Sequence, residues 1–257
     1  MDDILVFSSL VKSYKLDKRQ RILEGSKVKT ALNGLSFSVK RGEIYGLLGP
    51  NGAGKTTAML IAAGLLKCDS GDVLVAGDSV RENPLRIRRK IGFLSGDLKL
   101  EEFFTPVYLF DFFSALRDVP KAQAGERRDL LFHRFGINEY AHKRLAALSS
   151  GMKQKVSLVV SIAHDPQIII FDEPTNGLDL LAARTVTEFL LELKNQGKTI
   201  ILSTHIFGLA EKICDQAGFI INGQMLCSGP LEQITGTSNL EDAFFLLYDK
   251  IPAGTVP

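Results

Sequence analysis

The chain has 257 residues, 45% of them apolar, which is enough for one large α/β domain with a full core. Its 31 Lys and Arg balance 29 Asp and Glu, which excludes a general electrostatic drive toward nucleic acid or acidic partners. No run approaches about eighteen apolar residues, so nothing in the chain is expected to span a membrane alone.

The opening MDDILVFSSL lacks the basic flank and long apolar stretch of a signal peptide. ILVFSSLVKSY and ALNGLSFSVKRG predict the first strands, the second by its alternation of apolar and polar residues. Between them, residues 15–29 carry Lys15, Lys18, Arg19, Arg21, Lys27 and Lys29 against Asp17 and Glu24. This segment reads as a solvated hairpin tip; the alternative is a contact with anionic lipid headgroups or a partner. EIYGLLG, at 43–49, is a buried strand that runs into a glycine loop, and KTTAMLIAAGLL then predicts a helix. GDVLVAGDSV predicts a short β segment with turns, and PLRIRRK a helix that starts at Pro84.

From about residue 97 to 160 helical periods replace strand signals, as expected of a helical insertion into an α/β domain. Phe103, Phe104, Phe110, Phe112 and Phe113 cluster there; most are expected in the core, and some in a groove for a partner helix. The α/β pattern returns with QIIIFDEP, TVTEFLLELKNQGK, TIILSTH and AGFIINGQML, and an amphipathic NLEDAFFLLYDK precedes a Pro/Gly tail. The expected division is a main α/β domain over 1–235 and a C-terminal helix and tail over 236–257. Cys68, Cys214 and Cys227 fit no zinc or redox spacing and read as reduced thiols of a cytosolic protein.

Four short stretches carry the chemistry. Gly49, Pro50, Asn51, Gly52, Ala53, Gly54, Lys55 and Thr56, followed by Thr57, match GxxxxGK[ST] completely. Glycines let successive backbone N–H groups turn toward phosphate oxygens, and the following helix adds its positive end. Lys55 would reach the β- and γ-phosphates of ATP, and the Thr56 hydroxyl would ligate Mg²⁺. IIIFDE, at 168–173, delivers Asp172 to a strand edge where its carboxylate can hold Mg²⁺, directly or through water. Glu173 projects differently and is free to orient a water. STH, at 203–205, places His205 at another strand end, suited to hydrogen-bonding the γ-phosphate and the attacking water. His133, His142 and His164 read as structural. LSSGM, comprising Leu148, Ser149, Ser150, Gly151 and Met152, sets a hydroxyl and an open N–H at a helix start, either as a second phosphate cradle or as a helix cap. One nucleotide does not need two cradles from one chain, whereas two chains head to tail would let each serve the other's nucleotide.

The ordered set GPNGAGKTT, LSSGM, IIIFDEP, NGLD and STH resembles the ATP-binding subunit of ABC transporters, from Tyr14 to about residue 230. The resemblance implies an α/β P-loop NTPase fold: a RecA-like core with an antiparallel β subdomain and a helical subdomain. It implies that LSSGM is the signature motif, that Asp179 of NGLD belongs to the D-loop, that His205 is the switch histidine and that Tyr14 stacks on adenine. It also implies a Mg-dependent ATPase with ATP and Mg²⁺ as cofactors, working as a head-to-tail dimer with a second copy or a different ATPase subunit. The remaining partner is a membrane-spanning permease, with the chain peripheral on the inner face of the cell membrane and no nucleic acid expected. The finer similarity is to sodium, drug and lipid exporter ATPases. Departures are Ser150 and Met152 in place of the family's glycine and glutamine, Gly96 followed by Asp97 where the family has a glutamine, and a longer basic segment after Tyr14. Asp97 is one candidate for the missing side chain's role and a plain glycine turn is the other. The rival class, a soluble ABC ATPase acting on ribosomes or nucleic acid, often carries two cassettes or long coiled-coil or zinc insertions, and this chain has neither.

Overall fold

The computed structural model describes residues 3–18, 21, 25–96 and 100–250. Arg19 and Glu24 of the basic segment, and Asp97, lie outside the described residues. The described cations of that segment are exposed, while Leu16 turns inward and is buried.

Two sheets organise the chain. The antiparallel sheet runs in the order β2-β1-β4-β5, from β1 (Asp3–Lys15), β2 (Val28–Lys40), β4 (Ser70–Val75) and β5 (Asp78–Ser79). The second runs in the order β10-β9-β3-β8-β7-β6. Its members are β3 (Ile44–Leu48), β6 (Ile91–Leu94), β7 (Ile168–Asp172), β8 (Thr199–Thr204), β9 (Gln216–Ile221) and β10 (Gln224–Pro230). All pair parallel except β10, which returns antiparallel along β9. The central strands are buried along their whole length, which is why they read as unbroken apolar runs.

Side chains alternate across this sheet and divide the core in two. Tyr45, Leu47, Ile168, Ile170, Ile201 and Ile220 face the antiparallel sheet and meet Leu5, Phe7 and Val73. Ile44, Leu48, Ile169, Phe171, Ile200, Leu202 and Phe219 face the other way, toward the helical half of the molecule.

Helix α1 (Lys55–Ala62) follows β3, and α2 (Pro84–Lys90) precedes β6 with proline in its first turn. Three further helices fill the stretch between β6 and β7: α3 (Pro106–Leu116), α4 (Lys121–Phe135) and α5 (Ser150–Ser161). Thr105 caps α3, its side chain accepting the Tyr108 N–H, and Gly136 closes α4 in a left-handed conformation. The five phenylalanines from 103 to 113 divide. Phe110 is fully buried edge-to-face against Phe132, and Phe104 and Phe113 lean on the core, but Phe103 and Phe112 are 59% and 48% exposed. Phe112 follows Phe110 by two residues, about 200° around the helix, and so faces outward.

Helices α6 (Leu180–Asn195) and α7 (Phe207–Ile213) flank β8, and α8 (Leu231–Thr235) leads to α9 (Leu240–Tyr248). The last helix is no loose appendage: Leu240, Ala243 and Phe244 are buried, and Phe244 packs against Phe207 and Phe219. No helix among the described residues is long and apolar enough to cross a membrane.

Candidate nucleotide site

The glycine loop bridges the end of β3 and the start of α1. Gly54 stands at the helix entrance with φ +108°, and a Cβ there would lie 2.4 Å from the Ala31 carbonyl oxygen. A side chain has neither the conformation nor the room. Lys55 follows and is 6% exposed, its Nζ donating to the carbonyls of Gly49 at 2.7 Å and Pro50 at 3.0 Å. Burial pushes its pKa down, opposed by the charges of Glu173 and Asp172. The loop thus holds a cation against its own carbonyls.

Strand order brings the other groups to this loop. Because β8 lies between β3 and β7, the C-terminal ends of all three open on one edge, where α/β sheets bind ligands. Asp172, last in β7 and 6% exposed, accepts a hydrogen bond from Thr56 Oγ1 at 2.7 Å on Oδ2. Ser95 Oγ donates to the same oxygen at 3.3 Å, and Ser203 Oγ donates to Oδ1. Glu173 is the next residue, in the left-handed region at φ +52°, and its Oε1 lies 2.9 Å from His205 Nδ1.

A cavity of 280 Å³ joins Asp172 and Glu173 to Tyr14, Lys29 and the loop residues Asn51, Gly52, Gly54, Lys55, Thr56 and Thr57. Tyr14 is 39% exposed, its hydroxyl 3.4 Å from Thr57 Oγ1 and its ring 5.7 Å from Lys12 Nζ. Its half-open ring flanks the cavity as a surface on which a flat base can lie. Ala53 is buried and Pro50 exposed. Larger cavities of 850 and 330 Å³ lie around Ser95 and α5, away from the phosphate loop.

Thr56 and Asp172 present a hydroxyl and a carboxylate oxygen to each other, with no sulfur or nitrogen donor in the pair. Hard oxygens few in number suit Mg²⁺, which takes the rest of its shell from phosphate and water. Among the described residues no cluster of three His, Cys, Asp or Glu is present, so a site furnished by protein carboxylates alone is not offered here.

Leu148–Met152 are not among the residues that line the 280 Å³ cavity. Ser149 caps α5, its Oγ accepting the Met152 N–H at 3.3 Å, so the cap reading is realised in the chain itself. Leu148 is buried, Ser150 is exposed, and Gly151 and Met152 are half-buried. A Cβ on Gly151 would lie 3.3 Å from the Gly177 carbonyl oxygen, so this helix start abuts the NGLD segment. There Asp179 caps α6, accepting the Ala182 N–H at 2.9 Å, and this bond holds its carboxyl below the usual carboxylate range. Leu180 and Leu181, directly after it, are 86% and 76% exposed.

Nothing local in the sequence marks Ser95 or Ser203 as part of the site. Ser203 stands out as the one polar residue before Thr204 in the run IILST, but its partner follows only from the register that sets Ser203 opposite Asp172.

A family model described as ABC transporter matches residues 32–176. The chain is 34% identical over 239 residues to the ABC transporter ATP-binding protein NatA of Bacillus subtilis (strain 168), covering 93% of this chain and 97% of that protein. It is 36% identical over 207 residues to the Nod factor export ATP-binding protein I of Ralstonia nicotianae, covering 80% and 64%. Among solved structures, an ATP-binding subunit of an ABC transporter superposes with a TM-score of 0.85 at 28% identity, covering 95% of this chain and 99% of that one. The dimeric post-hydrolysis state of the ATP-binding cassette MJ0796 with ADP and Pi shares the fold, with a TM-score of 0.77 at 23% identity and coverage of 88% and 98%.

Proposed function

The chain belongs to the ABC transporter family as an ATP-binding subunit, and from that premise we propose that it hydrolyses ATP in a head-to-tail dimer to power export through a separate membrane-spanning permease. In this reading it sits on the inner face of the cell membrane, held there by the permease. Export is favoured over import because a relative 36% identical over 80% of this chain is named for Nod factor export.

The observation that carries the reading is the separation of the two phosphate-binding arrangements. Thr56, Asp172 and Glu173 line one cavity, with His205 against Glu173 at its margin, while Ser149 and Gly151 are not among its lining and stand at the start of α5. A second subunit turned head to tail would bring its own Ser149 and Gly151 over the γ-phosphate. The exposed Leu180 and Leu181, beside Asp179, would be covered on closure.

In the closed site the loop from Gly49 to Gly54 cradles the phosphates through backbone N–H groups, and Lys55 gives up its two carbonyl partners to neutralise them. Tyr14 stacks on the adenine. Thr56 and Asp172 would hold Mg²⁺, which would supply neutralisation of phosphate charge. Glu173 orients the attacking water and takes its proton at Oε, while His205 holds the Glu173 side chain and reaches toward the γ-phosphate. The work is positioning and electrostatics, with no covalent intermediate.

The test is Glu173→Gln. The amide keeps the shape and a hydrogen-bonding oxygen but cannot accept the proton. ATP binding is retained, hydrolysis falls by about 10²-fold or more, and ATP-bound dimer accumulates on size exclusion. Turnover near the wild-type rate sinks the assignment.

A further inference from the structure

Asp172 accepts from three hydroxyls on three separate parts of the chain: Thr56 on α1, Ser95 just after β6 and Ser203 on β8. Ser203 differs from the other two. Its Oγ donates to Asp172 Oδ1 and also accepts the Glu173 N–H at 3.2 Å. Its backbone carbonyl accepts that same N–H, also at 3.2 Å. The residue is completely buried and lies directly opposite Asp172 in the parallel β7–β8 pairing.

A hydroxyl has one proton to give and two lone pairs to receive with. Ser203 uses the proton on one carboxylate-bearing residue and a lone pair on the next. Donation to Oδ1 fixes the rotation of the Asp172 carboxylate and leaves Oδ2 facing Thr56. Acceptance from Glu173 bears on a residue at φ +52°, a conformation side chains adopt only when their surroundings hold them there.

We propose that Ser203 is a positioning residue for ATP hydrolysis, its single hydroxyl setting the metal-facing carboxylate of Asp172 relative to the backbone from which the Glu173 side chain projects. The inference rests on the reading in which Asp172 holds Mg²⁺ and Glu173 the water. Ser203 itself touches neither. It acts through its two neighbours, so its loss affects metal affinity and rate together while leaving the adenine and phosphate contacts in place. An inert buried serine would affect stability alone.

The experiment uses the full chain with Ser203→Ala, which deletes the hydroxyl, and Ser203→Cys, which keeps the shape with a weaker donor. Asp172→Asn serves as the reference. Mn²⁺ titration in the presence of saturating ATP, followed by electron paramagnetic resonance, reads the metal site without turnover. Steady-state kinetics and the thermal midpoint accompany it. Ser203→Ala is expected to weaken Mn²⁺ binding and lower kcat, each by about tenfold, as loss of a residue supporting a metal ligand commonly does. The KM for ATP at saturating metal stays within about twofold, and Ser203→Cys falls between. Wild-type Mn²⁺ affinity and kcat in Ser203→Ala, or a lowered thermal midpoint with both unchanged, overturns the inference. Should Ser203→Ala not fold, Ser203→Cys with wild-type metal affinity and kcat overturns it equally. Undiminished Mn²⁺ binding in Asp172→Asn is a separate result that overturns the reading of Asp172 beneath it.

Discussion

His205 Nδ1 lies 2.9 Å from Glu173 Oε1, each residue standing one position beyond the end of its strand on the adjacent, parallel β8 and β7. The His205 side chain is 55% exposed and that of Glu173 19%. Solvent therefore screens the pair, and its value to folding is small. Its value to the reaction is geometric, because a carboxylate that must take a proton from water has to point at that water. His205→Ala is expected to lower kcat by about tenfold or more, with ATP affinity within about twofold and the thermal midpoint nearly unmoved. Steady-state ATPase assays, fluorescent-nucleotide titration and thermal melts check the three quantities.

Tyr14 offers a ring to the nucleotide cavity and a hydroxyl 3.4 Å from Thr57 Oγ1. At that length the hydroxyl contact is weak. Tyr14→Phe is accordingly expected to bind ATP within about twofold of wild type, since only that contact goes. Tyr14→Ala removes the stacking surface and weakens binding by about tenfold, the scale of one aromatic–base contact. Equilibrium titration with ATP and with inorganic triphosphate separates the effects, because only the base-bearing ligand should lose affinity.

Gly54 and Gly52 both take positive φ, +108° and +82°, yet a side chain meets different surroundings at each. At Gly54 the added Cβ lies 2.4 Å from the Ala31 oxygen and 2.9 Å from Leu32 Cδ2; at Gly52 nothing lies within 4 Å. Gly52→Ala carries the conformational cost alone, about 1 kcal/mol. Gly54→Ala adds a clash with backbone that cannot move without shifting β2, and is expected to cost about 3 kcal/mol or more. Urea unfolding of the two variants checks the difference.

The chemistry-bearing stretches were legible because each is local. GPNGAGKTT lies between an apolar strand and a helix, and IIIFDE places two acids at a strand end, so neighbours in sequence supply the context. What could not be read was which strand lies beside which. The meeting of Ser203 with Asp172, and of His205 with Glu173, depends on β8 lying between β3 and β7, an order the chain does not follow. Ser95 reaches Asp172 from the position just before Gly96, and no local pattern in that stretch marks it. The amphipathic stretch at the C-terminus was visible as a helix. That Phe244 joins the aromatic contacts of Phe207 and Phe219 required knowing what α9 packs on. Composition predicts that most of the five phenylalanines from 103 to 113 are core, but it does not tell one side of a helix from another and so does not single out Phe103 and Phe112 as the exposed ones.

His164 supplies a pH dependence with a definite sign. It follows α5, and its Nε2 is buried without a hydrogen-bond partner. Burial lowers its pKa to about 4, with the charge of Arg117 adding to the effect, the Ile91 backbone opposing it, Arg127 lowering it further and Asp165 raising it. The ordinary value is 6.5, so the folded chain keeps this imidazole neutral where the unfolded chain protonates it. Between those two values the unfolded state binds more protons, and stability must fall as pH falls. The contribution is complete above about pH 6.5 and is lost progressively toward pH 4, amounting to roughly 2 kcal/mol after allowing for partial solvent access. In His164→Gln the side chain does not titrate, so the gap between wild type and variant should narrow, or reverse, as urea unfolding is carried from pH 7.5 to 5. Titrating carboxylates outside this cluster contribute to both curves alike and cancel in the difference. Parallel curves across that range would mean that this imidazole titrates near its ordinary value and that the packing of α5 against β6 leaves it open to water.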